Sequence, residues 1–295
     1  MSKKTIKITL NELQDLIIDA IRENKNLKKG KVLNEGVKYD ADNDSFIFNF
    51  EMDNEADIIQ LQKIGYQISA FNQCYYYAYE FAEGTTSSDR GAFIHSLKFP
   101  DGKISQKDKR TFIVNGVNKL DSDISLPSFK LVVYPESMSE LNREMLGYLN
   151  RFASPDLISM EIVKELPSRI EFDYERFKVE ILDSKLENGR FRYTEKQKEE
   201  VLGNIQTMMD RIHHLDYFSI ARDVNKSKYR PFIRNYYVFK NEEDRKLFEK
   251  ITKTNVLVID DIVTSGTTIS HILNSLRSVN DTNKIVVFSL IGKNL

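Results

Sequence analysis

The stretch Asn255-Val256-Leu257-Val258-Ile259-Asp260-Asp261-Ile262-Val263-Thr264-Ser265-Gly266-Thr267-Thr268 changes character twice. Apolar β-formers stop at two adjacent acids, and a short hydroxyl-rich loop with one glycine follows. A helical pattern then begins with Ile269, Ile272, Leu273 and Leu276. The apolar run is too short and too β-branched for a buried helix, so it reads as a parallel strand covered on both faces. The loop then lies at the carboxyl end of that strand, where open α/β sheets bind ligands. Its amides and hydroxyls lead into a helix N-terminus, a ready anion site. Two carboxylates beside that site suit hydroxyls better than a second phosphate, so the implied ligand is a sugar phosphate. A plain helix cap needs neither adjacent acids nor hydroxyls on both sides of a glycine.

Composition narrows the class. The chain has 295 residues, 41% hydrophobic and 29% charged, with a net charge of −1. That balance is globular, and it argues against a general binder of nucleic acid or membrane. Cys74 is the only cysteine, so intramolecular disulfides and thiolate zinc sites are excluded. No apolar run approaches the about 20 residues that span a bilayer. The segment Met1 to Lys7 lacks the apolar core of a signal peptide, so a cytoplasmic location is expected.

Thr9-Leu10-Asn11-Glu12 reads as a capping box opening a helix, with Leu13, Leu16, Ile17, Ala20 and Ile21 on one face. Residues 1–30 hold this helix and the start of the linker at Lys28-Lys29-Gly30-Lys31, and a lone helix of this kind is a candidate partner contact. Ser45 to Phe50 alternates as a strand. A long helix is expected from about Asp57 to Glu83, closed by Gly84, and its Tyr75-Tyr76-Tyr77-Ala78-Tyr79 cluster reads as core rather than as a platform on which a base stacks. Ala92 to Phe99 and Arg110 to Val114 read as strands joined by a Pro100-Asp101-Gly102 turn. His95 on the first of them reads as structural.

Phe129 to Tyr134 is a second buried-strand candidate. Pro135-Glu136-Ser137-Met138-Ser139 ends it, and a helix with Leu141, Met145, Leu146 and Leu149 follows, giving a second strand–loop–helix anion site. Leu157 to Val163 reads as the next core strand. Ser168 to Leu186 and Thr194 to His214 show helical periodicity, so 165–250 reads as a helical insertion. His213 and His214 are adjacent and face different directions on a helix, which argues against a metal pair. Arg222, Lys226, Lys228, Arg230 and Arg234 cluster in a polar connection. Cations that fold over a pyrophosphate stabilise charge building on a leaving group. Asn241 caps a short helix, and Lys284 to Ile291 reads as the last strand. Strands at each end of helical crossovers make a doubly wound parallel α/β sheet.

The run Val256 to Thr268 resembles the PRPP-binding signature of type I phosphoribosyltransferases: four apolar residues, two acids, then a Thr/Ser-Gly-Thr-rich loop. The resemblance implies that Asp260 and Asp261 are the catalytic-site acids and hold the ribose 2′- and 3′-hydroxyls. Thr264, Ser265, Gly266, Thr267 and Thr268 would wrap the 5′-phosphate. The loop Glu136, Ser137, Met138 and Ser139 falls where the family holds pyrophosphate, although this chain has Glu136 where many relatives have a cation. Arg222, Lys228, Arg230 and Arg234 become candidates for a loop closing over PRPP, and Mg2+ would arrive with PRPP. The small hood that contacts the base in this family would lie within 31–125, an α+β region, and the core within 126–295. Thr264 replaces the aspartate that serves the purine ring in 6-oxopurine enzymes, and Thr267 replaces their loop lysine. A hypoxanthine or guanine enzyme is therefore disfavoured, while orotate, adenine, uracil and competence-factor-like relatives stay compatible.

Two functions are open at this point. One is transfer of the 5-phosphoribosyl group to a nitrogenous base with release of pyrophosphate. The other is a regulatory PRPP- or nucleotide-binding protein without base transfer, for which a phage-associated or host-defence role is suited. A homodimer is compatible with either.

Overall fold

A run of apolar β-formers needs partners on both edges and cover on both faces, and the run before Asp260 has them. The computed structural model describes residues 37–40, 42–48, 62–68, 71–81, 85–137, 139–153, 155–224, 226–263 and 266–292. The described elements start with strands β1 (Val37–Asp40), β2 (Ser45–Phe48), β3 (Gln62–Ile68) and β4 (Phe71–Glu80). Helices α1 (Ser87–Lys98) and α2 (Gln106–Asp123) follow, then β5 (Leu131–Pro135), α3 (Leu141–Phe152) and β6 (Ile158–Lys164). After them come β7 (Glu171–Phe172), α4 (Glu195–His213), β8 (Ile233–Arg234), β9 (Tyr237–Phe239) and α5 (Glu242–Lys250). The last elements are β10 (Asn255–Ile262), α6 (Thr267–Val279) and β11 (Lys284–Gly292).

The architecture is α/β, with a mixed and mostly parallel central sheet flanked by helices. Seven strands lie in the order β3-β4-β11-β10-β5-β6-β9. The five from β4 to β6 are mutually parallel, while β3 and β9 close the edges antiparallel. Val256 to Ile259 and Asp260 are buried without alternation, so both faces of β10 are covered, as a parallel interior strand requires. Helices α2 and α3 pack together, on β4 and β10 respectively, and α5 packs on α6.

Several sequence expectations are corrected. The helix expected from Asp57 to Glu83 is, over its described part, the hairpin β3–β4. Tyr75, Tyr76, Tyr77 and Tyr79 are buried core residues, but of a strand that pairs parallel to β11. Aromatics suit a pleated interior as well as a helix face, and pairing with β11 decides between them. The strands expected at Ala92–Phe99 and Arg110–Val114 are turns of α1 and α2. Thr86 Oγ accepts from the Asp89 amide at 3.1 Å, and Ser105 Oγ accepts from the Asp108 amide at 3.0 Å. Caps of this kind start helices that a short apolar window does not reveal. Buried Phe93 and Leu97, and buried Phe112, Ile113, Val117 and Leu120, recur at helical spacing.

Strand β4, which precedes residue 125, is an interior strand of the central sheet, between β3 and β11. The span 165–250 returns to that sheet through β9, which pairs with β6 at Val163↔Val238. Within it, Ser168–Leu186 is not one helix. A turn at Pro167–Arg169 leads into β7, which pairs with β8, and Asp173 caps the short helix Tyr174–Phe177. Helix α4 carries the capping box of Thr194 and Gln197. The helix expected from Thr9 and the linker at Lys28–Lys31 lie outside the described residues.

Candidate functional site

The site follows from register. Strands β5 and β10 run parallel with Val256↔Leu131, Leu257↔Val132 and Val258↔Val133. They therefore reach their carboxyl ends side by side, and the two loops singled out in the sequence meet there. A cleft of about 700 Å³ opens at this edge. From β10 it takes Asp260, Asp261 and Ile262, and from the β5 exit Pro135, Glu136, Ser137, Ser139 and Asn142. Lys98 and Phe99 at the end of α1, residues 164–167 after β6, residues 216–218, Tyr237 and Thr268 complete it. That volume suits a small-molecule ligand with several polar groups.

Both acids are buried. The Asp261 amide donates to Asp260 Oδ1 at 3.0 Å, which fixes one carboxylate against the backbone of the next. Burial first, and then the Asp261 charge, push the Asp260 carboxyl well above the ordinary carboxylate range, with Lys98 opposing them. Lys98 Nζ lies 2.8 Å from Asp261 Oδ1 and 2.6 Å from Oδ2. Ser139 Oγ donates to the same Oδ2 at 3.4 Å, and its own amide donates to Ser137 Oγ at 3.2 Å. The β5 loop is thus tied to the acid pair through one carboxylate.

Asn142 is buried on α3 and donates from Nδ2 to the Pro135 carbonyl at 3.2 Å. Its Oδ1 is sealed from solvent and has no hydrogen-bond partner among the described residues. A buried acceptor in a cleft wall is a place for a ligand donor, since leaving it unmade costs about 1–3 kcal/mol.

The other half of the site begins at Gly266, whose φ of 69° is left-handed. Glycine takes that conformation at no steric cost, and it aims the first amides of α6 away from the helix. A hollow of about 30 Å³ there is lined by Asp260, Gly266, Thr267 and Thr268 among others. Tyr237 hydrogen-bonds Thr268, while burial pushes its phenol far above the usual range. Thr264, Ser265 and Met138 lie outside the described residues.

The four insertion cations are held by groups of the protein. Arg222 pairs with Asp223 at 2.8 Å and donates to the Tyr217 carbonyl at 2.9 Å. Lys228 Nζ donates to Tyr193 Oη at 3.0 Å, and Arg230 Nε to the Val224 carbonyl at 3.3 Å. Arg234 pairs with Asp173 at 2.5 Å and lines a separate cavity of about 590 Å³ beneath α6. None of the four is among the described residues lining the cleft. His213 Nε2 donates to the Ile170 carbonyl at 2.8 Å, and His95 packs on Phe99, both structural positions.

The cations that do line the cleft are Lys98 and Lys164, neither of them singled out in the sequence. Lys164 Nζ donates to Tyr217 Oη at 2.6 Å and lies over the rings of Tyr217 and Tyr236 at 4.9 and 5.8 Å. Burial works against its charge, but the hydrogen bond to Tyr217 and the charge interactions with Tyr236 and Tyr217 together outweigh it and lift its pKa above the ordinary value. No local pattern marks either lysine. The available signal for Lys98 was the Thr86–Asp89 cap, which turns its segment into a helix ending at the cleft.

No protein-family model matches the chain, and no curated protein matches it.

Proposed function

We propose that the cleft binds PRPP and that the protein transfers its 5-phosphoribosyl group to a nitrogenous base, with pyrophosphate leaving. The observation that carries this reading is the acid pair at the carboxyl end of an interior parallel strand, followed after four residues by a left-handed glycine that opens a helix. Adjacent acids suit the ribose diol, and the amides at Gly266 to Thr268 suit the 5′-phosphate. The neighbouring loop at Glu136 to Ser139 suits pyrophosphate by its position, because the Ser139 hydroxyl ties it to Asp261. The whole arrangement is consistent with a type I phosphoribosyltransferase-like core.

In this reading Asp260 and Asp261 position the sugar so that its anomeric carbon faces the acceptor. Holding the ring and balancing charge on the leaving group supply most of the rate, without a protein nucleophile. Mg2+ arrives with PRPP and neutralises pyrophosphate oxygens. Among the described residues no group of three or more His, Cys, Asp or Glu is arranged to hold a metal ion, and the reading requires none. Among them, too, no helix is long and apolar enough to cross a membrane.

The second reading is a regulatory PRPP-binding protein without base transfer. One observation favours it: Arg222, Lys228, Arg230 and Arg234 are bonded to groups of the protein and none of them lines the cleft among the described residues. Calorimetric titration with PRPP and Mg2+, followed by a pyrophosphate-release screen across bases, separates the two. Wild-type protein is expected to bind PRPP. The double variant Asp260→Ala, Asp261→Ala is expected to lose about 100-fold or more, the size of two charged hydrogen bonds. Unchanged binding in that variant defeats the pocket assignment, and binding without release on any base favours the regulatory reading.

A further inference from the structure

The geometry points to Lys98 as a substrate-contacting cation of this cleft: its ammonium takes the pyrophosphate group of PRPP, in place of the basic residue that the β5 loop lacks. This rests on the phosphoribosyl reading and adds a residue to it from a segment that carries no motif.

Charge balance motivates the assignment. Besides the acid pair, the cleft is lined by Glu136, Glu165 and Asp216, and its described cations are Lys98 and Lys164. Lys164 is already bonded to Tyr217 and stacked on two rings. Arg143, the first cation after the β5 loop, pairs with Glu140 at 3.2 Å and Glu161 at 3.4 Å, and it does not line the cleft among the described residues. Lys240 Nζ stands 4.0 Å from Glu136 but is bonded to Glu161 at 2.7 Å and does not line the cleft among the described residues. A polyanionic pyrophosphate entering beside Glu136 therefore meets Lys98 as the ammonium at hand.

Position and capacity fit that role. Lys98 sits in the last turn of α1, whose end is anchored by buried Phe93 and Leu97. Ser96 Oγ lies 2.7 Å from Asp101 Oδ2 and fixes the turn that follows. The ammonium and the Ser139 hydroxyl share Asp261 Oδ2, so Lys98 stands where the diol acid and the pyrophosphate loop join. Its side chain is 23% exposed against 4% for Asp261, so it faces the open cleft while its partner is sealed. An ammonium carries three N–H donors, and Asp261 is the one partner Lys98 has among the described residues.

In the transfer step the C1–O bond to pyrophosphate breaks, and its electron pair leaves on the pyrophosphate oxygen. The acceptor nitrogen forms the C1–N bond and releases its proton to water. Lys98 meets the charge that gathers on the departing oxygen while its contact with Asp261 holds that carboxylate in place for the sugar hydroxyls.

Calorimetry with Mg2+ and three probes tests this: PRPP, inorganic pyrophosphate and ribose 5-phosphate, against wild type, Lys98→Met and Lys98→Arg. Lys98→Met is expected to weaken PRPP and pyrophosphate by about 30-fold or more, the size of one charged contact, and ribose 5-phosphate by about 3-fold or less. Lys98→Arg is expected to recover most of the loss. Equal weakening of ribose 5-phosphate would show Lys98 acting only through Asp261 and would overturn the proposal, as would unchanged PRPP binding. Wild type that binds none of the probes removes the phosphoribosyl reading itself. Acetylation of Lys98 in the wild type, followed by mass spectrometry, needs no variant. Pyrophosphate is expected to slow it and ribose 5-phosphate to leave it unchanged; equal protection by both, or none by pyrophosphate, counts against the assignment.

Discussion

Strands β4 and β10 flank the same neighbour. Both pair parallel to β11, and Ser289 stands in register with Tyr77 on one side and Asp260 on the other. The two strands are equally interior, yet they do opposite work. On β4 the position holds a fully buried tyrosine, one of a run that closes the core. On β10 it holds a buried carboxylate whose charge the fold disfavours. The same sheet therefore spends one flank on packing and the other on a site, and the strand that ends in acids faces the loops that carry ligand chemistry. Stability and function are expected to separate along this line.

Substitutions can break the contrast or sharpen it. The largest effect is expected on the packing side. Tyr77→Ala should cost about 3–5 kcal/mol in denaturant unfolding, through lost burial and the cavity left behind, with PRPP affinity unchanged while the protein is folded. A large affinity change would mean that β4 belongs to the site.

Next comes α6, the helix that joins the acid pair to the core. Buried His271 packs on Tyr236, and desolvation pulls its pKa from 6.5 to about 4, against a bond to the Arg230 backbone. A histidine held neutral in the fold gains its proton more readily unfolded. Its contribution is present above about pH 6.5 and is lost as pH falls toward 4, up to about 3 kcal/mol. Melting curves between pH 7 and 4 are expected to show that slope, and His271→Phe to flatten it.

Gly116 lets α2 approach the β4 flank. A Cβ there would stand 2.6 Å from Leu290 Cδ1 and 3.1 Å from Ala78 Cβ. Gly116→Ala is expected to destabilise by about 1–3 kcal/mol, read as a lowered urea midpoint with binding intact.

The smallest stability effect is expected on the site side, with the opposite sign. The Asp260 carboxyl has its pKa raised by burial and by Asp261, so the fold loses stability as pH rises from 3.8 toward that raised value. Asp260→Asn removes the loss. Near pH 8 its Tm should rise by about 2–4 °C, the shift of roughly 1 kcal/mol, while PRPP affinity falls. A lowered Tm would show that the acid is structural after all.

The contrast between the flanks also explains what could be read in advance. β10 announces itself because Val, Leu, Val and Ile before two acids have one good reading, a covered strand that stops. β5, β6 and β11 share that signal, and α4 and α5 carry their own caps. β4 does not, since tyrosines mixed with Gln73, Cys74 and Ala78 suit a helix face and a pleat alike. The helical windows of α1 and α2 were short enough to pass for strands.

By itself, then, the sequence determined the parallel α/β core, the acid pair with its glycine loop, and the second loop after Tyr134. Those features are written in nearest-neighbour chemistry: β-branching, caps and left-handed glycine. Only the tertiary structure decided that β4 joins the sheet, that the insertion cations bond to groups of the protein, and that Lys98 meets Asp261. These last two side chains lie 163 residues apart, and no local pattern encodes a contact that exists only once α1 and β10 end at the same edge of the sheet.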